Sequence, residues 1–212
     1  MYWFPIHAGD KWTYKHETRN DAGRGRAHPE IRRWKTEETT VGSESIPEGT
    51  LVVRRIRTLD PPPASAAKQE DQTAYLIRGD CLYMFRGVDW KHLGHQLTPA
   101  LREDLLAGHI AADFCFPLAV GKTWGAPHWA EWRVPADAKD WRVAGIKARD
   151  PSAPDKQKMY HITAMSSYLG SGMTADLWFE KGVGIVREEE IHHGTIGEAR
   201  MRLLRFEPAS RP

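Results

Sequence analysis

The sequence predicts a mainly β protein in which antiparallel meanders form a curved sheet, half-barrel or sandwich from two similar halves, with one short central helix. Three observations predict it. A nine-residue phrase occurs twice, at residues 4–12 and 116–124. Short apolar or β-branched runs with two-residue alternation recur between clusters of Gly, Pro, Asn and Asp, as strands and tight turns do. Only one stretch, near residues 98–107, carries the start and stop signals of a helix.

The repeated phrase reads Phe4-Pro5-Ile6-His7-Ala8-Gly9-Asp10-Lys11-Trp12 and Phe116-Pro117-Leu118-Ala119-Val120-Gly121-Lys122-Thr123-Trp124. Pro5 and Pro117 hold φ and extend the preceding Phe, and Gly9 and Gly121 permit a turn with positive φ. Trp12 and Trp124 then begin a strand and fill a core. After Trp12 the run Thr13-Tyr14-Lys15-His16-Glu17 alternates polar and aromatic residues, the period of a half-buried strand. The second copy continues Gly125-Ala126-Pro127, so its strand is expected to be broken or delayed.

Further elements follow in chain order. Arg19 to Pro29 reads as an exposed loop, and Ile31 to Val41 as a strand rich in β-branched residues. Gly42 to Gly49, with Pro47, turns the chain into a strand over Thr50 to Arg57; Asp60-Pro61-Pro62-Pro63 stops it, and a loop runs to Gln72. Ala74 to Arg78 and Cys81 to Phe85 flank Gly79-Asp80, a hairpin signal, which makes Arg78-Gly79-Asp80 a turn rather than an adhesion site. Thr98 caps a helix from Pro99 to Ala107, with Leu101 and Leu105 on one face and Gly108 ending it. Strands are then expected over Asp140 to Ile146, Met159 to Tyr168, Ala175 to Glu180, Ile185 to Ile191 and Glu198 to Phe206. Turns at Lys181-Gly182-Val183-Gly184 and His192-His193-Gly194-Thr195 make the series a meander. The expected organisation is one domain over 1–212, built from related halves at about 1–96 and 113–212 and joined by the helix at about 98–107. The helix is expected to close an edge or end of the sheet.

Charge and composition exclude several classes. The 212 residues carry 30 basic and 28 acidic side chains, a net +2, so no global field favours nucleic acid or a membrane surface. Arg54, Arg55 and Arg57 read as a solvated strand face. No apolar run approaches the ~20 residues of a spanning helix. Without a basic segment followed by an apolar one, the chain as it stands reads as cytoplasmic; a signal removed upstream would place it in the cell envelope or periplasm. Cys81 and Cys115 read as buried thiols or as one bridge.

The two Phe-Pro-[Ile/Leu]-x-x-Gly-x-x-Trp phrases and Leu177-Trp178-Phe179-Glu180-Lys181-Gly182-Val183-Gly184-Ile185-Val186 resemble a group of uncharacterised bacterial proteins that repeat such a phrase and close on a Trp-[Phe/Tyr]-x-x-Gly-Val-Gly strand pair. The resemblance spans most of the chain. It implies structural roles for Phe4, Pro5, Gly9, Trp12, Phe116, Pro117, Gly121, Trp124, Trp178, Gly182 and Gly184, and carries no catalytic residue. It also implies an exported or lipid-anchored protein and a half-barrel with a helical lid.

Few residues point to chemistry. His92 and His95, with Asp89 or His109, have a spacing that could serve a metal-dependent hydrolase, but Gly94 lies between them and a solvated loop explains them as well. Glu188-Glu189-Glu190 places Glu188 and Glu190 on one strand face, read as a solvated edge. Neither a nucleophile elbow nor a phosphate-binding glycine loop occurs. The nine tryptophans stand out, with Trp129, Trp132 and Trp141 interleaved with polar groups such as Glu131. Aromatic rings beside polar groups suit sugars or an apolar ligand, and core filling is the other reading of each ring, with Trp129 and Trp132 set on opposite strand faces. The expectation is thus a non-enzymatic binding or envelope-assembly protein without cofactor, whose partner is an apolar ligand, glycan or protein bound at Trp129, Glu131, Trp132 and Trp141. A purely structural scaffold is the alternative.

Overall fold

The computed structural model describes residues 3–20, 29–60, 70–86, 99–107, 110–125, 140–148, 158–166, 173–192 and 197–210. Its strands are β1 (Lys11–Asn20), β2 (Glu30–Ile46), β3 (Gly49–Thr58), β4 (Glu70–Arg78), β5 (Cys81–Arg86), β6 (Phe114–Cys115), β7 (Thr123–Trp124), β8 (Trp141–Ala148), β9 (Lys158–Ser166), β10 (Met173–Glu180), β11 (Gly184–His192) and β12 (Gly197–Glu207). Among the described residues one helix, α1 (Pro99–Leu106), lies between β5 and β6. All twelve strands form a single sheet in the order β6-β5-β4-β3-β2-β1-β12-β11-β10-β9-β8-β7.

This order forces curvature. Laid flat at ~4.8 Å per neighbour, twelve strands would hold the outermost pair roughly 50 Å apart. The outermost strands β6 and β7 are joined by residues 116–122 alone, which reach at most roughly 30 Å when fully extended. The sheet therefore curls into a nearly closed barrel. At the seam Trp124 Nε1 donates to the Asp113 carbonyl at 2.9 Å. Gly125, at φ 41°, lies so near the Ala112 carbonyl that a Cβ would collide with it.

The two copies of the repeated phrase dock alike. Gly9 (φ 91°) and Gly121 (φ 85°) both take the left-handed turn. Gly9 N–H donates to Thr40 O at 2.9 Å and Thr40 N–H to Asp10 O at 2.9 Å; Gly121 N–H donates to Val143 O at 2.9 Å and Val143 N–H to Lys122 O at 3.0 Å. Each receiving strand then shifts register, between Thr40 and Gly42 in β2 and between Val143 and Gly145 in β8. The copies differ at proline, for the Phe116–Pro117 bond is cis and Pro117 is exposed, whereas Pro5 is buried.

Apolar side chains from most of the ring share one cluster. Val52, Leu82, Phe114, Trp124, Trp141, Val143, Ile162, Leu177 and Phe179 pack with Phe4 and Ile6 of the first phrase and Leu118 of the second. Trp3 stacks on Phe116 at 5.4 Å between centroids and so ties the two phrases together. Cys81 and Cys115 form a disulfide across the β5–β6 pair.

Three expectations need correction. The turn expected over 42–49 is confined to residues after Ile46, because β2 absorbs the Gly42 irregularity as a bulge and continues. β4 begins at Glu70, inside the stretch read as a loop. The helix covers a sheet face rather than an edge or end: Leu105 packs on Leu51, Ala74, Leu76 and Phe85, which alternate with the inward residues of β3–β5. Arg78 Nη1 also donates to Leu105 O at 3.2 Å.

Candidate functional site

On the four central strands the concave lining changes character. The two-residue period sets Trp12, Tyr14, His16 and Thr18 of β1 on the concave face. Register places them opposite Glu38, Thr36, Trp34 and Arg32 of β2. On the other side they face Phe206, Leu203, Met201 and Ala199 of β12, and beyond these Glu188 and Glu190 of β11. This surface is polar and aromatic where the rest of the interior is apolar.

Its deepest element is Arg54, the inward residue of β3 opposite Thr40, only 3% exposed. The guanidinium carbon lies 3.7 Å from the Trp12 ring centroid, 4.3 Å from Phe4 and 4.9 Å from Tyr75. Glu38 Oε2 is 3.6 Å from Nη1, and Nη2 donates to Pro5 O at 3.4 Å. A buried cation is tolerable because three ring faces and a carboxylate replace water. Reading Arg54 as part of a solvated face is therefore corrected, although Arg55 and Arg57 are exposed. Beside it Tyr14 donates to Ile185 O at 3.0 Å. Burial, and next the Glu38 carboxylate, hold the Tyr14 phenol well above its ordinary 10.0, while Arg54 pulls it down.

Further along, the face opens into a cleft of about 190 Å³ lined by His16, Trp34, Glu188, Glu190, Ala199 and Met201, with Glu17, Thr18 and Arg200 also at its border. His16 stacks on Trp34 with centroids 5.0 Å apart and planes 6° from parallel. Its Nε2 lies 2.8 Å from Thr36 Oγ1. Glu188 is 9% exposed and Glu190 half-buried, so the glutamates read as a solvated edge stand on an interior strand between β10 and β12, one of them buried.

The residues expected to bind a ligand are not brought together among the described residues. Trp129, Glu131 and Trp132 lie outside them, as do His92, His95, Asp89 and His109. Trp141 is 1% exposed and packs against Phe114 and Trp124, so it fills the core rather than facing solvent. Among the described residues no three His, Cys, Asp or Glu side chains converge as a metal would require. Trp178 sits on the strand face opposite Leu177 and Phe179, between the His161 ring at 4.8 Å and the Arg187 guanidinium at 4.4 Å. Sequence reasoning missed Arg54, Glu38, His16 and Trp34. The available signal was a charge at an inward position, since Arg54 continues the alternation begun by Val52.

No protein-family model matches the chain, and no curated protein matches it in sequence. Its fold is similar to that of a candidate lipoprotein from Parabacteroides distasonis ATCC 8503, 11% identical, with 97% of this chain and 98% of that chain covered and a TM-score of 0.50. The likeness is one of fold. A candidate exported protein with a YmcC-like fold from Bacteroides fragilis NCTC 9343 is 12% identical over 97% of this chain and 99% of that chain, with a TM-score of 0.48.

Proposed function

We propose that this chain is a non-enzymatic binding protein of the cell envelope whose ligand enters the concave cleft between β2, β1, β12 and β11. The cleft carries the reading: a stacked aromatic pair and two inward glutamates border an open depression in an otherwise apolar interior. That mixture suits a polar ligand better than a lipid chain, because the apolar part of the barrel is occupied by packed side chains. The disulfide supports an oxidising compartment, and the fold neighbour described as a lipoprotein agrees with it. The matched docking of the two phrases supports, as part of the same reading, a barrel made by internal duplication.

Trp34 supplies the test. Titration of the protein with methyl glycosides, short peptides, small amines and short-chain amphiphiles should change tryptophan fluorescence for at least one class, with the response lost in Trp34→Phe. If no class shifts either fluorescence or melting temperature, the scaffold reading replaces this one. The location is tested by alkylating thiols in intact cells: Cys81 and Cys115 recovered in the free, alkylated form would rule out an oxidising compartment.

A further inference from the structure

We infer that the barrel encloses one structural water, held between Arg54 Nε and Thr40 Oγ1, which ties β2 and β3 together beneath the first phrase. Two orphaned atoms carry the inference. Thr40 and Arg54 are 1% and 3% exposed, and the β2–β3 register sets them directly opposite one another. Thr40 Oγ1 and Arg54 Nε are both buried, and neither makes a hydrogen bond within the chain. Buried polar atoms that lack a protein partner are ordinarily satisfied by ordered water, and two of them on opposed residues mark the ends of one bridge.

The surroundings explain why the two atoms do not bond directly. The guanidinium is anchored elsewhere, by the Trp12 ring at 3.7 Å, by Glu38 Oε2 at 3.6 Å from Nη1 and by Pro5 O at 3.4 Å from Nη2, which leaves Nε as its donor without an acceptor. Thr40 is fixed through its backbone, for its N–H donates to Asp10 O and its carbonyl accepts from Gly9 N–H, both at 2.9 Å. Directly after Thr40 the strand bulges, and a bulge opens the ladder locally. The chemistry of the pair then selects water. Nε can only donate, whereas a threonine hydroxyl donates or accepts, so the occupant must accept from one and can meet the other either way. Water does both and makes about three hydrogen bonds in such sites, and Pro5 O has a second lone pair for the third. A halide would also accept from both atoms, but Arg54 is already matched by Glu38, and a further buried anion would stand uncompensated. Phe4, Pro5 and Ile6 are buried above the pair, so the first phrase seals the water from solvent.

The experiment uses the full chain. A crystal structure should show one ordered water within hydrogen-bond reach of both atoms. Water deuteron magnetic relaxation dispersion should report one long-lived water fewer in Thr40→Val than in the wild type, and Thr40→Ser, which keeps the hydroxyl, should retain it. Stability separates a bridge from two orphans by its sign. With the water in place, Thr40→Val removes a hydrogen bond, and the melting temperature should fall by about 2–4 °C. Were the hydroxyl without any partner, the isosteric methyl would raise it instead, because a buried unsatisfied group is lost. The bridge stands only if the long-lived water and the melting temperature fall together in Thr40→Val; a rise in melting temperature, or an unchanged dispersion, overturns it. Should Thr40→Val not fold, the wild-type crystal structure and Thr40→Ser decide: a direct bond from Nε to Oγ1, or an anomalous bromide peak between them in crystals grown from bromide, would replace the water by a contact or an anion and end the proposal.

Discussion

Arg54 shows how one side chain can organise the inside of a barrel. Its guanidinium holds the Phe4 and Trp12 rings and the Pro5 carbonyl of the first phrase against β3. Removing one partner of a buried ion pair typically costs ~3–5 kcal/mol. Arg54→Met should fall in that range by urea denaturation, because the ring contacts of the guanidinium and its ion pair with Glu38 are lost together. Tyr14 provides a pH test. The folded phenol keeps its proton above the value of the unfolded chain, so its contribution to stability is complete below about pH 10 and declines as pH rises beyond that. Tyr14→Phe should lose about 1 kcal/mol at neutral pH with the hydrogen bond to Ile185, and should soften the alkaline fall in melting temperature. Trp12 and Trp124 are 0% and 5% exposed, and each indole donates to a backbone carbonyl, Val183 O and Asp113 O. Replacement of either by Ala should cost roughly 3–5 kcal/mol in a denaturant series.

Elements explain why the phrase repeats. In each copy a left-handed glycine lets the chain reverse, and the same pair of backbone hydrogen bonds clips the turn to the next strand just before a bulge. β1 then runs for ten residues, while β7 spans two and is followed by Gly125 at a positive φ. That difference follows from Thr13-Tyr14-Lys15 in one copy and Gly125-Ala126-Pro127 in the other, so it was legible in the sequence. The β5–β6 edge is held differently. β6 is two residues long and cannot pair strongly, and the disulfide closing 34 residues of chain supplies the missing constraint. The Cys81→Ser/Cys115→Ser variant should lose roughly 3–4 kcal/mol on the chain-entropy scale. Its melting temperature should not change further with reductant.

At the scale of the whole molecule the decisive event is closure. β1 meets β12 in the middle of the sheet, which leaves the two shortest strands as its edges, and the second phrase joins them. Gly125→Ala should prevent that seam from closing, through both the collision with Ala112 O and the positive φ. A destabilisation above about 2 kcal/mol is expected, with greater exposure of Trp124 to acrylamide quenching. A wild-type melting curve would show that the seam does not depend on close approach of these backbones.

Strand positions, turn glycines and the burial of Trp12 and Trp124 were determined by the sequence itself, because each rests on local rules of φ and two-residue alternation. The face to which each strand turned was legible for β1, where aromatic and polar residues alternate cleanly. It was not legible for Arg54 or Glu188, since a charged residue on a strand is ordinarily solvated and only partners remote in the chain make its burial tolerable. Trp141 shows the converse, for its polar neighbours suited a ligand site as well as a core, and packing on Phe114 and Trp124 buries it. The cleft itself was decided by tertiary structure alone. His16, Trp34 and Glu190 are far apart in sequence and meet because β12 returns to pair with β1, a long-range pairing that no local pattern encodes.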